Sequence, residues 1–332
     1  MTRKVLSATF AAIVAAAVLL TGTAASAAEA LRPLAGSGVE PEPDATPLII
    51  GGSPASQTYH GLGSLQYLRG DNPNFHECEA SLWVPQGAVD PRNPRPVTAW
   101  HAITNAHCVT VYPTATLEDP KTFRLRFNSG DRLAGGTVTG VRKSKVYHSW
   151  AWGTGTGLQG DIAVLWLTKP VRTIPSILRP PAGLKHVPTG PARITGWGYT
   201  QYPWDQPDAP RHLSELDTAI VDPSHCAAAV IDAGEVCVAD LDNPQASACF
   251  GDSGGPVMVR SPHTRKQWFL IGTASRETAI PCVGPVVYTS VLFYQDWIDK
   301  VINGSWVDPK PATPARPAKP PAYRWAGCGT SC

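Results

Sequence analysis

Hydrophobic positions along this chain come in short runs separated by clusters of Gly, Pro, Asn and Asp. Phe123-Arg-Leu-Arg-Phe127 alternates apolar and polar residues with period two, as a strand with one buried face does. Ile162-Ala-Val-Leu-Trp-Leu167 and Trp268-Phe-Leu-Ile271 are continuous apolar runs short enough to be strands buried on both faces. From Ile49 to about Val301 this texture predicts an all-β molecule of many short strands, arranged as a sandwich or a pair of barrels. One stretch departs from it. In Val291–Asn303 the residues Leu292, Trp297, Ile298 and Val301 fall at near-helical spacing, which predicts a C-terminal α-helix. No repeat at the period of a solenoid or propeller is present.

The ends have a different character. Basic Arg3 and Lys4 precede an apolar run over 5–20, and the small residues Ala25-Ser26-Ala27 follow, so 1–27 reads as a signal peptide cleaved after Ala27 and the protein as secreted and extracellular. A membrane anchor is the competing reading, but the run is shorter than the ~20 residues a bilayer needs. Residues 28–48, rich in proline and small residues, read as a propeptide, and 49–302 as the folded domain. Residues 303–332 form a Pro-rich tail, extended rather than folded, with a terminal pair, Cys328 and Cys332. The tail's Lys310, Arg316, Lys319 and Arg324 offer contacts to an anionic cell wall, though a solvated spacer explains them as well.

The 332 residues are 43% hydrophobic, enough for one large core or two moderate ones. A formal net charge of +2 gives no field that would favour nucleic acid or an anionic membrane as partner. All eight cysteines lie beyond residue 27, and in an exported protein an even number favours disulfides over metal ligation. Eight cysteines allow 105 pairings, so spacing does not choose among them.

Candidate chemistry centres on Cys249-Phe-Gly-Asp-Ser-Gly-Gly-Pro-Val257, which gathers three glycines and a proline around Ser253. Such residues make ordinary turns. A serine nucleophile also needs this setting, along with a general base and N–H donors for the developing oxyanion. His107, in Ala102-Ile-Thr-Asn-Ala-His-Cys-Val109, follows an apolar strand-like stretch and stands beside a cysteine that anchors it. Asp161 opens an apolar run, where its carboxylate would be shielded from water and would fix the imidazole tautomer. Taken singly, each of these has a bland reading as a turn, packed or surface residue.

Together the three segments resemble the trypsin/chymotrypsin family of serine proteases, in the order His107, Asp161, Ser253. Ile49-Ile-Gly-Gly52, Gly196-Trp-Gly198 and Val287-Tyr288 with Trp297 extend the resemblance over most of 49–302. It implies two packed six-stranded antiparallel β-barrels closed by a C-terminal helix, and an enzyme of trypsin-like type made as a zymogen; the signal and the Ala/Pro-rich character of the chain read as bacterial. It further implies that Ser253 is the nucleophile, His107 the base and Asp161 the orienting acid, with the backbone N–H groups of Gly251 and Ser253 as the oxyanion hole. Asp252 would turn inward and pair with the amine freed at Ile49. Gly254 and Gly255 would keep the substrate's approach uncrowded. The implied disulfides are Cys78 with Cys108, Cys226 with Cys237 and Cys249 with Cys282, leaving Cys328 with Cys332. No metal or organic cofactor is implied. The partners would be protein or peptide substrates and protein protease inhibitors, met by a monomer.

The specificity pocket departs from the trypsin pattern. Ser247 stands at the floor, where an aspartate would select Arg and Lys. Ser275-Arg-Glu277 replaces Ser-Trp-Gly, and Val286 replaces a glycine. Glu277 and Val286 narrow or shorten the pocket, which favours small or medium apolar residues before the cleaved bond. A carboxylate offered by Glu277 to a basic group is the alternative. Asn105 stands where the family usually has alanine.

Overall fold

In the computed structural model of the protein, six strands close into a barrel in the first half of the molecule. They are β1 (Leu62–Arg69), β2 (Asn72–Trp83), β3 (Val97–Thr104), β4 (Phe123–Phe127), β5 (Thr137–Val146) and β6 (Ala163–Thr173), paired around the ring as β1-β2-β3-β6-β5-β4 and back to β1. The structure describes residues 49–309 except 91, 153–158, 182–183, 185, 188, 201–208, 263–266 and 280–281. The expected signal peptide, the propeptide and the Cys328–Cys332 pair therefore lie outside the described residues.

A second ring follows from β7 (Gly190–Gly196), β8 (Ser214–Val221), β9 (Glu235–Ala239), β10 (Pro256–Arg260), β11 (Trp268–Glu277) and β12 (Val286–Ser290), in the order β8-β7-β10-β11-β12-β9, closed by pairing of β8 with β9. Every pairing within the two rings is antiparallel, as the resemblance implies. The short segment Ile177–Leu178 joins β11 in parallel, outside the ring.

Alternation along β4 explains its place. Phe123, Leu125 and Phe127 are buried in the first barrel while Arg124 and Arg126 are half-exposed. Phe127 fits because Gly63 opposes it, and a Cβ there would stand 2.5 Å from its ring.

A third cluster fills the seam between the barrels, with Ile103 and Ile162 from one, Trp197 and Met258 from the other, and Trp297 and Ile298 from the helix α1 (Val291–Ile302). Ser290 caps α1 by accepting from Phe293 N–H. Its buried face is Val291, Tyr294, Trp297, Ile298 and Val301. Leu292 is only half-buried, and Tyr294, one turn from Trp297 and Ile298, takes the inward place that the pattern gave to Leu292.

The tail does not leave the molecule at 303. Trp306 stacks on His148 with ring centroids 5.7 Å apart, and Lys145 pairs with Asp308. An aromatic ring within reach of an apolar cluster gains by covering it, which holds residues 306–308 against the domain.

Candidate active site

The seam brings together residues that are far apart in sequence. β3 ends at Thr104, and a short 3-10 turn carries His107 while the Cys78–Cys108 disulfide ties that turn to β2. Asp161 sits just before β6, with no exposed surface. Its Oδ1 accepts from His107 N–H at 2.9 Å. Its Oδ2 accepts from His107 Nδ1 at 2.8 Å, Ser275 Oγ at 2.6 Å and Asn105 Nδ2 at 2.8 Å.

Four donors hold a carboxylate that has no access to water, and their effect outweighs the desolvation. Burial raises the Asp161 pKa, but the His107 charge and the hydrogen bonds from His107, Ser275 and Asn105 bring it below the ordinary value. Burial likewise lowers His107, yet the adjacent carboxylate leaves its pKa above the usual imidazole value. With Nδ1–H donated to Asp161, the lone pair on Nε2 is the basic one.

Ser253 lies on the loop before β10, fixed through its backbone. Its carbonyl accepts from Glu79 N–H at 2.7 Å, and Gly254 N–H donates to Ala274 O at 3.0 Å. Among the described residues no hydrogen bond joins Ser253 Oγ to His107. The neighbour recorded at His107 Nε2 is Cys108 Sγ at 3.6 Å, a contact of a disulfide sulfur and not of a thiolate metal ligand. Catalytic hydrogen bonds of this kind are often loose without substrate.

Gly251 adopts φ +94°, open to glycine and unfavourable for other residues. Asp252 N–H is taken by Cys249 O, whereas the N–H groups of Gly251 and Ser253 on either side have no hydrogen bond among the described residues. The next peptide unit, between Gly251 and Asp252, is held from behind: His76 Nε2 donates to the Gly251 carbonyl at 2.9 Å, and Ser64 Oγ bonds His76 Nδ1 at 2.8 Å. Burial and the nearby Arg132 push the His76 pKa down to about 3, so it stays neutral.

Asp252 turns inward, as implied, and is 2% exposed. Its Oδ1 accepts from Gly198 N–H and its Oδ2 from Cys249 N–H, both at 2.8 Å. Ile49 is buried and Ile50 forms a β-bridge with Ser247. Still joined to Leu48, Ile49 carries no ammonium, and burial pushes the Asp252 pKa up to about 7. The expected pairing of Asp252 with that amine is therefore not among the contacts of this chain.

The glycines after the serine have a different use from the one expected. A Cβ on Gly254 would collide with Glu79 O and Thr104 Oγ1, and one on Gly255 would stand 2.7 Å from Asp252 O. They let β2 and the Ser253 loop press together, so the crowding they relieve is inside the protein.

At the pocket, Ser247 and Val286 line one cavity with Ala248, Gly284 and Tyr288. Ser247 Oγ lies within donating reach of Ala248 O at 3.1 Å and Gly284 O at 3.2 Å, so backbone carbonyls engage its hydroxyl. Ser275 was expected on the pocket wall, but its hydroxyl is committed to Asp161. Glu277 is half-buried, and burial raises its pKa while His107 opposes the rise. Arg276 turns inward to Glu235, at 2.6 and 2.8 Å, and to the carbonyls of Ala229 and Val230.

The remaining implied disulfides, Cys226 with Cys237 and Cys249 with Cys282, are present. Sequence reasoning missed Glu79 and His76. Asn105, which in sequence stands only as a departure from the usual alanine, reaches Asp161 with its amide, a contact that spacing does not show.

Residues 97–298 match the family model described as Trypsin. The chain belongs to the trypsin family. It is 36% identical to mouse transmembrane protease serine 11C over 68% of this chain and 48% of that protein. It is 29% identical to mouse transmembrane protease serine 11G over 83% of this chain and 60% of that protein. A chymotrypsin-like serine proteinase of Haliotis rufescens is 27% identical over 76% and 91%. The chain thus spans about half the length of the mouse relatives. Among the described residues no helix is long and apolar enough to cross a membrane.

Proposed function

We propose that the protein is a secreted serine endopeptidase, made as a zymogen by a bacterium and working as a monomer. The observation that carries this reading is the His107–Asp161 hydrogen bond of 2.8 Å inside a fully buried carboxylate site, next to the Ser253 loop of a trypsin-family fold. In the mechanism, His107 Nε2 takes the proton of Ser253 Oγ as the oxygen attacks the peptide carbonyl, and Asp161 stabilises the imidazolium. The N–H groups of Gly251 and Ser253 receive the negative charge on the carbonyl oxygen. His107 then protonates the leaving amine, and water releases the acyl group by the same route.

Secretion and processing at Ala27 and Leu48 rest on the composition of 1–48, and three disulfides suit an oxidising compartment. The relatives named above are animal proteins; the bacterial source rests on the Ala/Pro-rich leader and tail. Ser247 and Val286 at the pocket support cleavage after small or medium apolar residues, with protease inhibitors as further partners.

The test is a peptide library and an active-site phosphonate applied to protein beginning at Ile49. Cleavage after Ala, Val or Leu, with labelling of Ser253 lost in Ser253→Ala, is expected. No labelling and no cleavage of any peptide would sink the reading. Cleavage after Lys or Arg instead would assign selectivity to the Glu277 carboxylate.

A further inference from the structure

Glu79 plays no part in the triad, yet it reaches the interior beside it. On β2, one residue after Cys78, it has no exposed surface. Its Oε1 accepts from Trp197 N–H at 2.8 Å, and its Oε2 has no hydrogen-bond partner among the described residues.

Asp252 is next to it. A Cβ on Gly196 would overlap Asp252 Oδ1 and come within 2.5 Å of Glu79 Oε1, and a Cβ on Gly255 would stand 2.9 Å from Glu79 Oε2. Glycine at both positions leaves room for the two carboxyls to approach each other. Two buried carboxyls this close do not both ionise without a counter-charge.

Among the described residues, no counter-charge on the pair is seen. Tyr288 on β12 is held neutral by burial, His76 on β2 is neutral, and Glu277 on β11 is another acid. Arg132, whose charge bears on His76, donates to the carbonyls of Asn74, Ala209 and Pro210. Cleavage before Ile49 would add one ammonium to a pocket with two carboxyls, so neutrality still requires one proton.

We propose that Glu79 is a positioning residue for the oxyanion loop, acting as a neutral carboxylic acid that shares its proton with Asp252. The proposal rests on the peptidase reading above, which gives residues 251–253 their importance. Glu79 N–H holds Ser253 O at 2.7 Å, its carbonyl accepts from Thr104 Oγ1 at 2.6 Å, and its side chain holds Trp197 N–H. One residue thereby joins the nucleophile loop, the 196–198 segment and the strand that leads to His107. At high pH the proton passes to solvent and leaves a second anion buried beside Asp252. Burial and the Asp252 charge place that loss well above the ordinary carboxyl range.

The test compares wild type, Glu79→Gln and Glu79→Ala, each starting at Ile49, by kcat and KM on a peptide substrate from about pH 6 to 10. Glutamine keeps the acceptor for Trp197 and a donor toward Asp252 but cannot ionise. It is expected to retain kcat within about threefold near neutrality and to show an alkaline limb at higher pH than wild type. Alanine supplies neither bond and is expected to lose about tenfold or more in kcat, with less change in KM.

The proposal is overturned if folded Glu79→Gln is inactive, if its alkaline limb superimposes on that of wild type, or if Glu79→Ala matches wild type in kcat. Should the alanine variant not fold, the glutamine comparison decides alone. An inactive, unlabelled wild type would instead overturn the peptidase reading, and this inference with it.

Discussion

At the scale of single residues, the site depends on how many donors a buried carboxylate can collect. Asp161 Oδ2 takes bonds from three side chains, and Asn105 is the one that the family pattern does not lead one to expect. Its amide is fully buried, so removing it costs a hydrogen bond to a charged group and gives nothing back to solvent. In the proposed mechanism, Asn105→Ala lowers kcat by about three- to tenfold and leaves KM nearly unchanged.

The pH profile adds a second readout. The Asp161 carboxylate raises the pKa of His107, so activity falls as pH drops through a value above that of free imidazole. Without Asn105 the carboxylate is less stabilised and holds the imidazolium proton more tightly, which moves the acid limb of kcat/KM to higher pH. An unchanged limb would mean that the amide serves packing alone.

At the scale of elements, loops carry the chemistry and strands aim it. Cys249 and Cys282 join the two sides of the pocket across a sequence separation of 33. On the chain-entropy estimate such a bridge contributes roughly 3–4 kcal/mol. Replacing both cysteines by serine should lower the melting temperature and, because the backbone N–H at 249 that holds Asp252 Oδ2 loses its covalent tether, reduce kcat more than the stability loss alone explains. Calorimetry and turnover measured below the transition separate the two effects. Arg276 belongs to this scale as well. In sequence it replaces an aromatic wall, but its ion pair with Glu235 and its bonds to Ala229 and Val230 carbonyls make it an internal brace for the turn over 223–229.

At the scale of the whole molecule, cleavage before Ile49 is proposed to act through charge. In the uncleaved chain Asp252 has no ammonium, and its pKa stands at about 7, above the value of 3.8 for the unfolded chain. Between these values the folded state binds more protons than the unfolded one, so this group's contribution to stability declines as pH rises from about 4 to 7. Asp252→Asn removes that titration. Relative to wild type, the uncleaved variant should therefore gain stability over this window, as read by chemical denaturation at several pH values. In the cleaved protein the same substitution should leave the fold intact and abolish most turnover, because the arriving ammonium would lose its partner on the 251–253 loop and meet only the Glu79 carboxyl, which lies on β2. A difference in stability that does not vary with pH would refute the assignment.

The sequence by itself determined the all-β class, the terminal helix and the candidates His107, Asp161 and Ser253. Those follow from local periodicity and from motifs whose residues are adjacent in the chain. It could not show that Ser275 turns to Asp161 and not to the pocket, that Arg276 faces Glu235, or that Gly254 and Gly255 admit Glu79 and not substrate. It gave no sign that Trp306 returns to His148, or that Tyr294 and not Leu292 completes the buried face of the helix. Each of these depends on which element lies opposite, and closure of two barrels against each other decides that. Glu79 is the clearest case: within its strand it is one acid in a β-run, and only the approach of Asp252 from the other barrel gives its carboxyl a proton to share.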